Sequence, residues 1–180
     1  CGIVRSDYSG EDLRALRMRD CVCEHVSFAG ADLRRARMVD VRFRACDFSN
    51  ADLSGVTGQR VEFTDCRLTG IKAIESKWKL LKLAGCEARY ASLNGASLAE
   101  GVVENTKLPE ADLRAADFTD AQFTRSNLER ADLTGAKLAG ANLRSSNIDG
   151  VVLRAEDVRG ARVSADQALA LAHLLGLEIG

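Results

Sequence analysis

The sequence repeats in units of five residues, and this period constrains the fold more than any other feature of the chain. From Ser126 to Ile148 it reads SNLER, ADLTG, AKLAG, ANLRS and SNI, with a large apolar residue third in each unit. With that position called i, steps of five give 33 positions from Ile3 to Val163, of which 20 are Leu or Phe. All six Phe residues occupy it, and only Gly58 breaks the apolar class. The phase never slips, so the repeat contains no inserted or deleted residue.

The other columns of the repeat indicate the shape of each unit. Position i−2 is small or apolar everywhere except Glu11 and Glu156, and ten of the fifteen Gly residues occupy i+2. In extended backbone the side chains at i−2 and i point to the same face, which must be the interior because it carries the apolar residues. Glycine at i+2 suits a corner that needs positive φ. Each unit is therefore a short side and a corner, and the units must wind and stack because none can bury its apolar face alone.

The motif A(D/N)LxG resembles the pentapeptide-repeat proteins over roughly residues 1–163, which we interpret as one domain. The resemblance implies an all-β solenoid, a right-handed quadrilateral β-helix with four units per coil, in which residues 20 apart stack. The 33 units then give about eight coils. At about 4.8 Å per strand the rod is about 40 Å long.

Composition argues against several classes of function. Lys and Arg number 25 and Asp and Glu 26, and a net charge of −1 gives no basic surplus for direct binding of nucleic acid. No apolar run is long enough to span a membrane, and the N-terminus shows no signal peptide, so we expect a cytoplasmic protein without a membrane contact. The sequence contains no phosphate-binding loop and no CxxC pattern, and His25 stands on an outward position without a nucleophile beside it. Neither catalysis nor metal binding is therefore indicated. We therefore expect no enzyme, cofactor or metal.

The six Cys residues all fall on inward columns, and Cys46, Cys66 and Cys86 are spaced by 20. Such positions suit small core side chains. We interpret the cysteines as core fillers in a reducing compartment.

The middle of the array predicts a local exchange of volume. Gly58, Ala73 and Ala88 are unusually small for position i, and they surround Trp78, the only Trp, which is also at i. The interior must be filled to normal density. The indole is therefore expected to occupy the volume that Gly58 and Ala73 give up, with Ala88 as a third contributor. The alternative is that Trp78 lies on the surface as an anchor for a partner.

The repeat gives way after Val163 to a C-terminal segment, residues 164–180. Ser164 and Gln167 form a capping box, and Gly176 suits the end of a helix. We expect a short helix followed by a brief extended tail, and most of this helix should be buried because Leu and Ala lie nearly all round it. The segment should cover the open strand edges of the solenoid. It does so in a monomer or, as the surplus of apolar side chains favours, in a dimer.

The tail resembles the Qnr, MfpA and albicidin-immunity group of pentapeptide-repeat proteins. That resemblance implies a homodimer joined through the C-terminal segments, and mimicry of DNA on DNA gyrase, with topoisomerase IV as a second candidate. It also implies protection of the enzyme from quinolones or a natural-product poison. The alternative is a scaffold or regulatory module for another protein, since a fold alone assigns no function. The residues that match the dimerising tail are Leu169, Leu171, Leu174, Leu175, Leu177 and Ile179.

The distribution of charge suggests where such a partner would bind. Residues 1–90 carry a net charge of +3 and residues 91–180 a net charge of −4. Joining two chains at their C-termini would bring the acidic halves together as a central belt and leave basic tips. Such a belt complements a basic saddle. The residues expected in this acidic belt are Glu100, Asp112, Asp117, Asp120, Asp132, Glu156 and Asp157.

Overall fold

The computed structural model describes residues 2–174 and Gly176. They form a parallel β-solenoid that ends in a short helix, which confirms the predicted fold class. The number of coils and the right-handed sense stay predictions. The strands are β1 Gly2–Val4, β2 Arg17–Glu24, β3 Arg37–Arg44, β4 Thr57–Thr64, β5 Lys77–Lys79, β6 Lys82–Ala84, β7 Val102–Glu104 and β8 Gln122–Thr124, and the helix is α1 Ala165–Leu174.

Neighbouring strands pair in parallel with a constant register of 20 residues, as Met18 does with Met38 between β2 and β3. The remaining sides of each turn are too short for strands. They pair through isolated bridges in the same register, such as that of Asp32 with Asp52. Residues 20 apart therefore occupy successive levels of one column, and we call each level a rung.

The corners of the solenoid lie at positive φ. Every fifth residue from Arg5 to Gly140 has a φ between 46° and 75°, as predicted for position i+2. Twenty of these residues are not glycine, so glycine is favoured there but not required. The ladder holds the others in place: the N–H of Ala15, for example, donates to the carbonyl of Arg34 on the next rung at 2.9 Å.

The inward columns form one apolar core along the axis. All six Phe residues are at most 3% exposed. Phe28 stacks on Phe48 with ring centroids 4.8 Å apart, and Phe43 stacks on Phe63 at 4.9 Å. These spacings match the separation of neighbouring strands, about 4.8 Å. Side chains of one column therefore pack rung on rung.

The middle of the core fits Trp78 against Gly58. The two residues pair between β5 and β4, and a Cβ added at Gly58 would lie 2.5 Å from Cζ3 of the indole. Trp78 is 6% exposed, and its Nε1 donates to Ser76 Oγ at 2.7 Å. The alternative of a surface anchor is therefore wrong. Ala73 and Ala88 line the same apolar region, where a cavity of about 30 Å³ remains.

One inward column is polar over much of its length. The backbone N–H of Thr106 donates to Ser126 Oγ at 3.3 Å, and that of Ser126 donates to Ser146 Oγ at 3.1 Å. Each hydroxyl thus satisfies a buried N–H of the previous rung. The buried members of this column are Val26, Cys46, Cys66, Cys86, Thr106, Ser126 and Ser146.

The cysteines differ in their bonding state. Cys23, Cys46, Cys66 and Cys86 are free and buried, which fits their interpretation as core fillers. Cys21 is disulfide-bonded. The interpretation of all six cysteines as reduced core fillers is therefore wrong for Cys21.

The five-residue geometry changes to a run of turns between residues 154 and 160. The side chain of Asp157 is 4% exposed, and its Oδ2 accepts the backbone N–H of Arg154 at 2.8 Å. Burial alone would raise the pKa of Asp157, but the N–H donors of Gly135 and Arg154 and the Arg154 guanidinium together lower it. The expectation that Asp157 belongs to an acidic surface is therefore wrong, because its carboxylate turns inward to bond this turn.

Helix α1 closes the C-terminal end of the solenoid. The capping box is present, because the N–H of Ser164 donates to Gln167 Oε1 at 2.8 Å and the N–H of Gln167 donates to Ser164 Oγ at 3.2 Å. Gln167 Nε2 also donates to the carbonyls of Leu143 and Ser146, both at 2.7 Å. Leu171, one helical turn later, joins the core at 7% exposure. The helix is therefore seated on the last rungs through Gln167 and Leu171.

Most of α1 is exposed in the single chain, contrary to expectation. Ala168, Leu169 and Ala170 all lie on the surface, with Leu169 at 47% exposure, because only one side of the helix can face the end of the solenoid. We call these three residues the outer face of α1. The described residues include no helix that could span a bilayer. The side chain of Leu174 and the predicted tail residues Leu175, Leu177 and Ile179 lie outside the described residues.

Candidate partner-binding surface

Many acidic side chains on the solenoid bond to its own corners. Asp112 at i−1 accepts the backbone N–H of Arg114 at 3.2 Å, and Asp132 accepts that of Thr134 at 2.9 Å. This Asx-type bond satisfies a donor of the corner. It gives a structural reason for the Asp and Asn residues of the repeat, independent of any partner.

The acidic ladder exists, but arginines interleave it. Asp112 and Asp132 stack on successive rungs, and Arg114 Nε lies 2.8 Å from Asp112 Oδ1 and 3.8 Å from Asp132 Oδ2. The hydrogen bond from Arg114 lowers the pKa of Asp112. These two members of the predicted belt therefore share one cation and are neutralised only in part. The same column carries Asp12, Asp32 and Asp52 nearer the N-terminus.

Asp117 and Glu156 each form an ion pair with a basic residue of their own. Thr119 Oγ1 donates to Asp117 Oδ1 at 2.7 Å, and Lys137 Nζ on the next rung lies 3.5 Å from Asp117 Oδ2. Burial alone would raise the pKa of Asp117, but the bonds from Thr119 and the charge of Lys137 lower it overall. Glu156 accepts an ion pair from Arg154 at 3.2 Å and remains largely exposed. Each of these carboxylates already has a cation of its own.

Glu100 and Asp120 are the uncompensated members of the belt. They occupy successive rungs of one corner column, with φ of 59° and 56°, and both are exposed. Within residues 2–174 neither has an ion pair. Two like charges one rung apart, about 4.8 Å, disfavour the fold unless a cation approaches them. This pair is therefore the strongest candidate contact for a basic partner.

Of the seven residues predicted for the acidic belt, only Glu100 and Asp120 are exposed and have no ion pair within residues 2–174. Some of the partners of the others could have been predicted from the sequence, because Arg114 follows Asp112 by two residues and Thr119 follows Asp117 by two. The cross-rung pairing of Asp117 with Lys137 becomes visible once the register of 20 is known. The inward turn of Asp157 has no such signal.

Two family models match the repeat. A model described as a pentapeptide repeat region matches residues 16–93, and one described as pentapeptide repeats of eight copies matches residues 102–135 and 116–154. Together they extend over most of the solenoid. The chain belongs to the pentapeptide-repeat proteins. A comparison with curated protein sequences found no significant match.

Several solved structures are similar to this pentapeptide-repeat protein at low sequence identity. HetL, involved in heterocyst differentiation regulation in the cyanobacterium Nostoc sp. strain PCC 7120, is 21% identical with a TM-score of 0.47, over 89% of this chain and 84% of HetL. Trypsin-treated QnrB1, a plasmid-mediated fluoroquinolone resistance protein, is 20% identical with a TM-score of 0.46, over 99% of this chain and 97% of QnrB1. A pentapeptide repeat protein of the Arabidopsis thaliana thylakoid lumen is 23% identical with a TM-score of 0.29, over 95% of this chain and 74% of its own length. Likeness at this level assigns no function.

Proposed function

We propose that this protein mimics DNA on DNA gyrase and protects the enzyme from quinolones or a natural-product poison, with topoisomerase IV as a second target. The observation that carries the proposal is the C-terminal end of the solenoid. There Gln167 and Leu171 seat α1, and the outer face of the helix is left apolar. This is the segment whose sequence resembles the Qnr, MfpA and albicidin-immunity group. The proposal places the protein in the cytoplasm with its target.

The first step of the proposal is a homodimer. Leu169 is one of several exposed large apolar residues of the chain, and it is the one that lies on the helix at the end of the rod, where a second copy could cover it. A second copy would cover it through a twofold contact, which places the same residue of both chains at the interface. Leu169 is the described residue best placed for this role. Leu171 would act indirectly, because it packs on the solenoid of its own chain and so holds α1 in position.

The second step is the meeting of two acidic halves at the centre of that dimer. Residues 91–180 contain 13 acidic and 9 basic residues. Glu100 and Asp120 would place uncompensated carboxylates where a basic DNA-binding saddle expects phosphates, which speeds encounter and fixes orientation. Asp117 and Glu156 contribute less, since each already has a cation, and so do Asp112 and Asp132, which share Arg114. Asp157 contributes nothing directly because it is buried.

Replacement of Leu169 by arginine is expected to convert the dimer into a monomer. Light scattering should give the wild-type chain a mass of twice 19.4 kDa. An anchor residue at an interface contributes about 2 kcal/mol or more, and the twofold contact contains two copies of Leu169, so dissociation should become about 1,000-fold easier. The matched control is Leu80→Arg, since Leu80 is exposed to the same degree, 46% against 47%, but lies far from α1 in sequence. A wild-type monomer at high protein concentration, or equal dissociation of both variants, would contradict the dimer.

In a gyrase supercoiling assay, the wild-type protein is expected to raise the poison concentration needed for half-inhibition. The assay should include a quinolone and a small panel of natural-product poisons. The double variant Glu100→Lys/Asp120→Lys should bind gyrase about tenfold more weakly or worse and lose protection, because repulsion replaces attraction at the basic saddle. Direct binding to purified gyrase measures the loss.

The matched control for this assay is Asp65→Lys/Glu75→Lys. Asp65 and Glu75 are exposed, lie at the same corner position with positive φ, and like Asp120 are followed one rung later by a glycine. The charge change is identical, so the control should bind gyrase nearly as well as the wild type. If the wild-type protein neither binds gyrase nor protects it from any poison, the proposal fails and a scaffold or regulatory role takes its place.

A further inference from the structure

The side of the solenoid built by β2, β3, β4 and β5 carries a concentrated positive charge. Its outward residues flank the inward column of Met18, Met38, Gly58 and Trp78. Five of the eight are Arg or Lys, and none is acidic. We call these eight residues the basic face: Arg17, Arg19, Arg37, Val39, Thr57, Gln59, Lys77 and Lys79.

Many cations elsewhere on the solenoid pair with acids across rungs. Arg67 reaches Asp47 at 2.9 Å, and Lys107 reaches Glu87 at 2.6 Å, each pair 20 residues apart. On the basic face, by contrast, none of the five cations has an ion pair within residues 2–174. The chain therefore concentrates unneutralised charge on one flat side.

The arrangement on this face is unfavourable without an anion. Arg17 lies directly opposite Arg37 between β2 and β3, and like charges in that relation destabilise a sheet. Asp20 and Asp40 stand at the adjoining corner. Both oxygens of Asp40 are bonded by Arg60, and its charge also acts on Arg19, so these acids offset the repulsion only in part. An anion that bridges the rungs from outside would offset this repulsion.

The chemistry of the basic face fits a phosphate backbone better than a protein partner. Protein interfaces depend on buried aromatic or other large anchors. The outward positions of this face include no aromatic residue, and Val39 is the only apolar one. Contacts of Lys and Arg to phosphates need no such anchor and supply nearly all of non-specific DNA binding.

The dimensions agree with a short length of duplex DNA. Rungs are about 4.8 Å apart and outward residues about 7 Å apart along a strand, so the face measures about 14 by 7 Å. Duplex DNA along the rod axis carries one phosphate per about 1.7 Å, which gives about eight over this length, with about half on the near side. Five cations are therefore matched to roughly four or five phosphates.

We propose that the basic face binds the phosphate backbone of duplex DNA without sequence preference. The net charge of −1 conceals this site, because acidic residues elsewhere cancel it; for that reason composition alone predicts no nucleic-acid binding. The site does not depend on gyrase binding, since Glu100 and Asp120 lie on later rungs of the solenoid.

Fluorescence anisotropy with a labelled duplex of about 20 base pairs, in the absence of gyrase, tests the site. Five phosphate contacts predict that log K falls with log salt concentration with a slope of about −4.5. The triple variant Arg17→Gln/Arg37→Gln/Lys77→Gln should bind more weakly and reduce the slope to about −1.8. The matched control is Arg130→Gln/Arg144→Gln/Arg159→Gln, three exposed arginines of other corners without an ion pair in the described chain, and its slope should equal that of the wild type.

Thermal unfolding establishes whether both triple variants fold. If the first does not, the single variant Lys77→Gln should still lower the slope by about 0.9. Absence of wild-type binding at low salt, or equal slopes for the two triple variants, would overturn the proposal. Vesicles with and without phosphatidylserine test whether the anion is a lipid headgroup instead of DNA. Binding to anionic vesicles but not to DNA would also overturn the proposal.

Discussion

Replacement of Gly58 by alanine is expected to destabilise the solenoid by about 3 kcal/mol, at the upper end of the usual cost of overpacking. The added Cβ would lie 2.5 Å from Cζ3 of Trp78 and 3.2 Å from Cγ2 of Val61. The indole cannot easily move away, because its Nε1 is bonded to Ser76 Oγ, which is itself bonded to the carbonyl of Ala73. Equilibrium unfolding in denaturant, monitored by circular dichroism, measures the loss.

A double-mutant cycle separates the clash from other effects of the substitution. Trp78→Leu alone should destabilise the protein because it leaves a cavity. Once the ring is gone, Gly58→Ala should cost much less, so the two substitutions should couple by about 2 kcal/mol. The matched control is Gly2→Ala in β1, where the backbone is not at positive φ and an added Cβ would meet no atom within 4 Å. Equal costs for Gly58→Ala with and without Trp78 would show that the ring does not require the glycine.

The Gly58 and Trp78 contact was predictable because both halves of it are visible in the sequence. The period of five places both residues inward, and the spacing of 20 places them on neighbouring rungs. The same two numbers predict the apolar core and the positions of the corners. A one-residue slip would turn the Leu and Phe residues outward, so the pattern permits a single register.

The features that were not predicted depend on hydrogen bonds and on the placement of α1, neither of which is visible in the repeat pattern of the sequence. Asp157 stands at i−1, where the repeat places side chains outward, but local turns and the N–H donors of Arg154 and Gly135 draw it inward. The composition of α1 predicted burial all round, although a helix set across the end of a solenoid offers it only one side. The spacing of Thr106 and Ser126 is visible in the sequence, but their role as acceptors for buried N–H groups is not.

The sequence predicted where the acidic residues of the candidate site lie, but not which of them lack a neighbouring cation. Charge counts separate a basic half from an acidic half, and the register then stacks Glu100 with Asp120. Which carboxylates remain free of cations depends on the reach of individual side chains. Arg114 illustrates this, because one guanidinium lies near both Asp112 and Asp132.

Replacement of Gln167 by leucine is expected to unseat α1 and to loosen the last rungs of the solenoid. Gln167 is 9% exposed, and its side chain makes three hydrogen bonds: Nε2 donates to the carbonyls of Leu143 and Ser146, and Oε1 accepts the N–H of Ser164. Its backbone N–H donates to Ser164 Oγ. Leucine has a similar size but none of the three side-chain bonds. The Ser146 carbonyl would lose its partner, whereas the Leu143 carbonyl keeps the N–H of Ser146 at 2.9 Å. With the lost capping bond at Ser164, the local loss should be about 2–3 kcal/mol.

The loss should be local because a solenoid is held together by contacts between neighbouring rungs. Hydrogen exchange of the amides near Leu143 and Ser146 should therefore become much faster, while amides of β2 and β3 keep their protection. The polar column gives the reason: Ser146 Oγ accepts the N–H of Ser126, so its rung must stay in place for that bond to survive. Gln167 thus stabilises both the seat of the helix and the end of the buried hydroxyl column.

Two further variants sharpen this test. Gln167→Glu keeps an acceptor for the N–H of Ser164 but sets a carboxylate against the carbonyls of Leu143 and Ser146, so it should be at least as damaging as leucine near neutral pH. The control is Gln59→Leu on the outward side of β4, a site with no side-chain hydrogen bond in the described chain. It should leave exchange at the C-terminal end unchanged. Unaltered protection near Leu143 in Gln167→Leu would mean that Leu171 alone seats the helix, and the dimer proposed to form through its outer face would then not depend on the capping glutamine.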